Sequence, residues 1–356
     1  MGVRYIGSKA RVAERIVDLV GEVCPRGRFI DAFCGTGAVA AVAADRGWTV
    51  TVNDALASAV AMSVAATIGT QNVEFGPFGG YDRAVDLLNA EHPAPGFIHA
   101  QYSPASARRG GVERRYFTEA NAARLDAMRA RVASWSAQGL LGWEEEQLLL
   151  ADLLHAANAV ANISGTYGCF LRSWTSTALR PVAVRARALP ERRTDLTATV
   201  GDVFAVPATF HDTLYLDPPY TKRQYSAYYH LLETIHAGDS PDVSGVTGLR
   251  PWRDRASVFC YKTRALDALT RLVSTTTAGR VLLSYSTEGH VRQDDLLAAL
   301  AEIGDVRLHD VQTIGRYRPN ARASAAGAGV DEYLVEVVPT VCAATSGHAL
   351  TGTTAA

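Results

Sequence analysis

Apolar residues recur along this chain in two patterns. From Ala10 to Val23, the residues Val12, Ile16, Leu19, Val20 and Val23 fall at helical spacing, and an alanine-rich helix is predicted from Ala38 to about Arg46. The same periodicity returns over Tyr116 to Trp135, Trp143 to Val160 and Asp294 to Ile303. Short apolar runs instead predict strands at Arg28 to Asp31, Trp48 to Val52, Thr213 to Leu216, Arg280 to Tyr285, Val306 to Ile314 and Glu332 to Val338. Strand and helix alternate except between about Phe75 and Ala198, where glycine and proline punctuate Gly76 to Ser106 and helical segments follow. The pattern predicts an α/β domain interrupted by a largely helical insertion.

A chain of 356 residues, 48% hydrophobic and 20% charged, can bury a full core and allows one large domain with an insertion or two domains. The longest apolar runs, such as Ala38 to Ala44, are too short to cross a bilayer, and Arg4, Lys9 and Arg11 are followed by no signal-peptide core. A soluble, cytoplasmic protein without a membrane partner is expected. Five cysteines, widely spaced and without a CxxC pair or a Cys/His cluster, predict reduced packing residues and no metal site. The net charge of -1 does not advertise a nucleic-acid partner. Its distribution says more. Lysine occurs only at Lys9, Lys222 and Lys262, and arginine bunches at Arg108-Arg109, Arg114-Arg115, Arg180 to Arg193, Arg250 to Arg255 and Arg316 to Arg322. Each bunch reads either as a solvated face or as an anion-contacting one.

Candidate chemistry sits at three places. Arg4-Tyr5-Ile6-Gly7-Ser8-Lys9 precedes the first helix, where backbone amides and an ammonium group can face an anion. Phe33-Cys34-Gly35-Thr36-Gly37 joins the first strand to an alanine-rich helix, as in nucleotide-binding units, and the next strand ends at Asn53-Asp54, placed to accept hydrogen bonds from ribose hydroxyls. The turn reads FxGxG rather than GxGxxG, which argues against a dinucleotide. Third, Asp217-Pro218-Pro219-Tyr220 follows a short apolar run. Two prolines fix the backbone and remove two amide donors, so a carboxylate, an uncommitted Pro218 carbonyl and a tyrosine ring are held together. A planar amine fits there.

With these motifs in this order, the chain resembles the N6-adenine DNA methyltransferases of the D12 type, the group that includes the Dam methylases, over Arg4 to about Val338. The resemblance implies a Rossmann-like, S-adenosylmethionine-dependent methyltransferase fold with a mostly parallel seven-stranded sheet. Residues 1–74 and 199–339 would form the catalytic domain, residues 75–198 an inserted DNA target-recognition region, and residues 340–356 a disordered tail. Tyr5 and Lys9 would line the S-adenosylmethionine site, Tyr5 as an aromatic wall and Lys9 near the cofactor carboxylate or the target base. Phe33, Gly35 and Gly37 would shape the loop around the methionine moiety and Asp54 would hold the ribose. Asp202 matches an acidic position beside the cofactor adenine, and reads equally as a strand-end turn.

In such an enzyme Asp217 and the Pro218 carbonyl would each accept a hydrogen bond from adenine N6, Pro219 would stiffen the turn, and Tyr220 would stack on the flipped base. Lys222, Arg223 and Tyr225, which interleave basic and aromatic groups after the motif, suit a loop closing over a nucleotide and its phosphates. Arg114 and Arg115, with Arg172 in the small, aromatic and basic stretch from Asn162 to Trp174, suit contact with the DNA backbone. His230 reads as a helix residue with a local partner. Double-stranded DNA is the expected partner, with a cognate restriction endonuclease or as an orphan methylase. An RNA adenine methyltransferase and a non-catalytic DNA-binding module that retains the fold are the alternatives.

Overall fold

In the computed structural model of the protein, residues 7–109, 111–314 and 330–340 are described. Tyr5, the basic loop expected over Arg316 to Gly329, and nearly all of the tail expected from Thr340 lie outside the described residues. The chain opens with α1 (Ala13–Val20), β1 (Phe29–Asp31), α2 (Ala38–Asp45), β2 (Val50–Asp54) and α3 (Ala57–Thr67). Then come four helices, α4 (Tyr81–Asn89), α5 (Phe97–Tyr102), α6 (Glu119–Ala137) and α7 (Trp143–Ala159). It returns through β3 (Leu196–Val200), β4 (Thr213–Leu216), the short α8 (Tyr225–Tyr228), α9 (His230–Ala237) and α10 (Ala265–Thr275). Strand β5 (Arg280–Ser286), α11 (Gln293–Ala301), β6 (Gly304–Ile314) and β7 (Val330–Pro339) complete it.

The expected strands and helices all form, and further elements escape the periodicity, among them α3, β3, α4, α5 and α10. Helix α3 is buried on nearly every side, so it has no polar face to reveal a helical period. Strand β3 is an edge strand whose apolar positions Leu196 and Ala198 are half-buried and Val200 exposed, and it shows no continuous apolar run.

The strands form one seven-stranded sheet in the order β3-β2-β1-β4-β5-β7-β6. Pairs β2–β3, β1–β2, β1–β4 and β4–β5 are parallel, and β7 runs antiparallel between β5 and β6. The central strands β1 and β4 are buried at every position, as strands covered on both faces must be. Alternate residues feed opposite layers. Phe29 and Tyr215 join the core beneath α1, α2, α3, α7 and α9, whereas Ile30, Leu214 and Leu216 join that beneath α10 and α11. Burial of each such side chain contributes roughly 1.5–3 kcal/mol. Helix α7 packs on α3 and shares its core through Leu149 and Leu153, so the helical excursion extends the layer on one face of the sheet.

The topology also fixes where a ligand can enter. The strand order reverses at β1, whose neighbours are β2 on one side and β4 on the other, and a crevice opens beyond the carboxyl ends of strands at such a point. Asp31 pairs in register with Tyr215, so the Asp217 turn emerges directly beside the glycine turn.

Candidate active site

A cavity of about 800 Å³ opens at the carboxyl ends of β1, β2 and β4. Lys9, Phe33, Gly35, Asp54, Asp202, Asp217, Pro219 and Tyr225 all contribute to its wall, so stretches far apart in sequence converge on one space.

One end is built largely from backbone. Gly35 and Gly37 adopt φ of +50° and +79°. A Cβ on Gly37 would stand 2.6 Å from Ser63 Cα, so this glycine also lets α2 begin against α3. Asp54 closes the turn: its Oδ2 accepts from the Gly35 amide at 3.1 Å and its Oδ1 from the Leu56 amide at 3.0 Å. Burial raises the Asp54 carboxyl to about 6, against the opposing pull of those amides. Each oxygen keeps a further acceptor site. Neighbouring Asn53 is buried and donates to the Ala32 carbonyl at 3.1 Å while accepting from the Thr199 hydroxyl at 2.9 Å, which locks the ends of β1, β2 and β3 together.

Asp31 belongs to the same wall and was not singled out from the sequence, because its character depends on burial rather than on a motif. It is 2% exposed, and its Oδ1 has no hydrogen-bond partner among the described residues. Burial first, then the proximity of Asp217 and Asp54, pushes its carboxyl up to about 8. Farther along, the rings of Phe204 and Phe259 stack at 6.1 Å, Phe33 meets Phe259 edge-on at 5.4 Å, and the Arg271 guanidinium lies 4.8 Å over Phe204. Asp202 is exposed on the rim, where its Oδ1 accepts from the Phe204 amide at 3.1 Å and caps a short turn.

The other end is built from side-chain charges. Strand β4 delivers Asp217, and Lys9 Nζ stands 2.9 Å from its Oδ1. The Lys9 ammonium stands at the Asp217 end of the cavity. It is buried, lies 5.6 Å over the Tyr220 ring, and has a second carboxylate, Glu332 on β7, at 3.5 Å. Burial raises the Asp217 carboxyl to about 6 even though Lys9 pulls it down. Those two carboxylates conversely hold the Lys9 ammonium above its ordinary value, despite its burial. Tyr220 packs edge-on against Tyr285 at 5.9 Å.

A pair of stapled loops joins the two ends. The Gln224 side chain donates to the Ser257 carbonyl at 3.1 Å and accepts from the Ser257 amide at 2.8 Å, copying a strand pairing. The Cys260 thiol donates to the Arg223 carbonyl at 3.3 Å, and the His290 amide to the Tyr220 carbonyl at 2.9 Å. The segment after Tyr220 is thereby fixed to the segment that carries Phe259. Sequence gave no sign of Gln224, whose partners lie 33 residues away. Glu233 on α9 accepts from the Ala57 and Ser58 amides at 3.3 and 3.0 Å, capping α3, and pairs with Arg255.

The residues expected to meet nucleic acid divide. Lys222, Arg223 and Arg172 are exposed, and Tyr225 lines the cavity itself. Arg115 bonds to Glu113 at 2.8 Å and to the Arg172 carbonyl at 2.5 Å, at the surface. Arg114 is different. It is 8% exposed, and its guanidinium donates to the carbonyls of Gln101, Gly245 and Val246 and to the Gln101 side chain, at 3.0 to 3.1 Å. That guanidinium is committed within the fold and does not share the surface of Lys222 and Arg223. Arg187, Arg192 and Arg250 are likewise taken up by Asp152, Asp45 and Asp239. His230 is buried, with Nε2 3.1 Å from the Tyr167 carbonyl, and burial pushes its imidazole down to about 4.

A parallel sheet with an antiparallel β7, a glycine turn after β1 and an Asp-Pro-Pro-Tyr turn after β4 define the class as a methyltransferase fold. The family model of the D12 class N6 adenine-specific DNA methyltransferases matches residues 5–293, and the chain belongs to that family. It is 32% identical to the type II methyltransferase M.FokI of Planomicrobium okeanokoites over 311 residues, covering 85% of this chain and 47% of that one. It is 29% identical to the modification methylase StsI of Streptococcus sanguinis, over 88% of this chain and 48% of the relative. The type II methyltransferase M.NlaIII of Neisseria lactamica is 31% identical over 81% of this chain and 84% of its own length. The chain thus spans about half the length of the first two relatives. Methyltransferases use a methyl donor. Among the described residues no helix is long and apolar enough to cross a membrane.

Proposed function

We propose that the protein is a DNA adenine N6-methyltransferase that carries a methyl group from S-adenosylmethionine to an adenine flipped out of duplex DNA, in a restriction-modification system or as an orphan methylase. The observation that carries this reading is the meeting of Asp217 and Pro219 with Gly35 and Asp54 on the wall of one cavity. That cavity, about 800 Å³, is of the size that encloses a cofactor. Its chemistry fits S-adenosylmethionine piece by piece. The unpartnered Asp31 oxygen suits an ammonium group, the free acceptor sites of Asp54 suit ribose hydroxyls, and the stacked Phe204 and Phe259 suit an adenine ring. Asp202 on the rim is our candidate for a contact to that ring. Gly35 and Gly37 would let the turn approach the methionine moiety, and Phe33 would flank it.

The bound donor supplies an activated sulfonium methyl, so the protein's task is the amine. Adenine N6 is a poor nucleophile because its lone pair is delocalised into the ring. In this reading Asp217 and the Pro218 carbonyl accept its two hydrogens and aim the lone pair at the methyl. As N6 takes the methyl it would give one proton to the Asp217 carboxylate. Tyr220 stacks on the base, worth ~1–3 kcal/mol, against a few kcal/mol lost on flipping. Lys222, Arg223, Arg115 and Arg172 would meet phosphates, and Tyr225 the flipped nucleotide. We assign target recognition to residues 75–198, and the remainder of 1–339 to catalysis.

The names of the relatives, modification methylase and type II methyltransferase, support a role in restriction-modification and a cognate endonuclease as partner. The test is incubation with labelled S-adenosylmethionine and duplex DNA, followed by mapping of the modified base. Transfer to adenine N6 that vanishes in Asp217→Ala is expected. Transfer only to RNA would favour an RNA adenine methyltransferase, and DNA binding without cofactor binding would favour a non-catalytic module.

A further inference from the structure

Lys9, Asp217 and Glu332 reach one another from an N-terminal turn, the end of β4 and the antiparallel strand β7. Lys9 Nζ is 2.9 Å from Asp217 Oδ1 and 3.5 Å from Glu332 Oε1, and the side chains of Lys9, Asp217 and Glu332 are 4%, 17% and 12% exposed. Glu332 Oε2 is buried and has no hydrogen-bond partner among the described residues. One positive and two negative charges are therefore enclosed together.

Their sum matters for methyl transfer. When the amine takes the methyl it becomes positive before it releases a proton, and only interactions that strengthen at that moment speed the reaction. A Lys9–Asp217 pair by itself is neutral, and its ammonium both occupies Asp217 and repels the developing charge. Glu332 leaves the cluster with one net negative charge. We propose that Glu332 is a positioning residue for methyl transfer, which shares the Lys9 ammonium with Asp217 and so leaves the Asp217 carboxylate able to take a hydrogen bond, and then the proton, from the substrate amine. The proposal rests on the adenine-methylating reading of this site.

The surroundings make the cluster separable by titration. Besides Lys9 and Glu332, Asp217 is faced by Asp31 from β1, Tyr215 from β4, Tyr220 from the turn and Tyr225 from α8. Burial raises all three tyrosines further above their already high range, and Asp31, raised to about 8, is uncharged near pH 6. The Glu332 charge is one of the causes that hold Asp217 up at about 6, a value shared by Asp54 at the other end of the cavity, so the acid limb is assigned by titrating Asp217 directly.

The experiment compares Glu332→Gln and Glu332→Asp with the wild type by two readouts. The first is the pH profile of single-turnover methylation at saturating cofactor and DNA; the second is the titration of the Asp217 carboxyl in the unliganded protein, followed by carbon-detected NMR. In Glu332→Gln the plateau rate should fall roughly ten- to hundredfold, with cofactor affinity within about twofold of wild type. Its acid limb, and the Asp217 titration, should move to lower pH. Glu332→Asp keeps the charge, so its limb should stay near that of the wild type with a smaller loss of rate. A lowered rate with an unmoved limb would make Glu332 a structural residue only, and an undiminished plateau rate, or an Asp217 titration that stays or rises, would overturn the proposal. Failure of the wild type to methylate adenine would overturn the reading of the site instead, while the NMR titration would still decide whether Glu332 acts on Asp217.

Discussion

Asp54 and Asp217 stand at the ends of β2 and β4, on either side of β1, and burial raises both carboxyls to about 6. Their partners differ. Asp54 is held by amides of residues 35 and 56, so its acceptors are fixed by the same turns that make the fold. Asp217 is held by a buried ammonium from residue 9, itself shared with residue 332. Backbone amides cannot leave, whereas side-chain charges can be redistributed as a substrate arrives. The first arrangement suits a cofactor that must be held throughout; the second suits an amine whose charge changes during the reaction.

By this division, loss of either carboxylate should show in a different constant. Asp217→Ala should lower the single-turnover rate by about 10³-fold or more while leaving cofactor affinity within about twofold. A large loss of cofactor affinity in this variant would break the contrast. Asp54→Asn should do the opposite. One of the Gly35 and Leu56 amides loses its acceptor, at a cost of about 1–3 kcal/mol, so the cofactor Kd should rise roughly ten- to hundredfold with a rate at saturation closer to wild type. Calorimetry and rapid-quench kinetics on the same preparations measure both.

Asp31 lies between the two arrangements and has neither set of partners complete. Its carboxyl titrates at about 8 in the folded chain and at about 3.9 when unfolded. Between those values the folded protein retains a proton that the unfolded chain releases, so stability without ligand falls as pH rises through this window. Asp31→Asn removes that contribution, while Asp54 and Asp217, raised to about 6, keep theirs. Its melting temperature should exceed that of the unliganded wild type by a few degrees near pH 8 and match it near pH 4, while cofactor binding weakens. A wild-type melting temperature that is flat across this window would show that Asp31 is ionised within the fold.

The same division explains what could be read from the chain. The glycine turn and Asp54 are legible because local backbone geometry demands glycine at fixed places and the partners lie within 19 residues. The Asp217 turn is legible because two prolines leave the chain little freedom. Glu332 and Gln224 are silent in sequence, since each acquires its role from a contact made only when β7 or the 257–260 segment folds against the site. Burial is equally invisible in a sequence, so neither the enclosure of Asp31 nor the commitment of Arg114 to carbonyls within the fold can be read from it.

Among the arginines and lysines the contrast predicts its smallest effect. Arg114, like Asp54, is satisfied by backbone, and its side chain ties α5 to the 245–248 turn through three carbonyls. Lys222 and Arg223 are exposed beside the Asp217 turn. A cation that meets a phosphate releases a counterion, so its removal should reduce the slope of log K against log salt by about 1. Lys222→Ala and Arg223→Ala should each show this reduction in DNA-binding titrations between about 50 and 200 mM salt, with a melting temperature unchanged. Arg114→Ala should leave the slope as it is and lower the melting temperature by several degrees, because a buried guanidinium that bonds three carbonyls and the Gln101 side chain is lost. A reduced slope in Arg114→Ala at unchanged stability would place that guanidinium at the phosphates and erase the distinction.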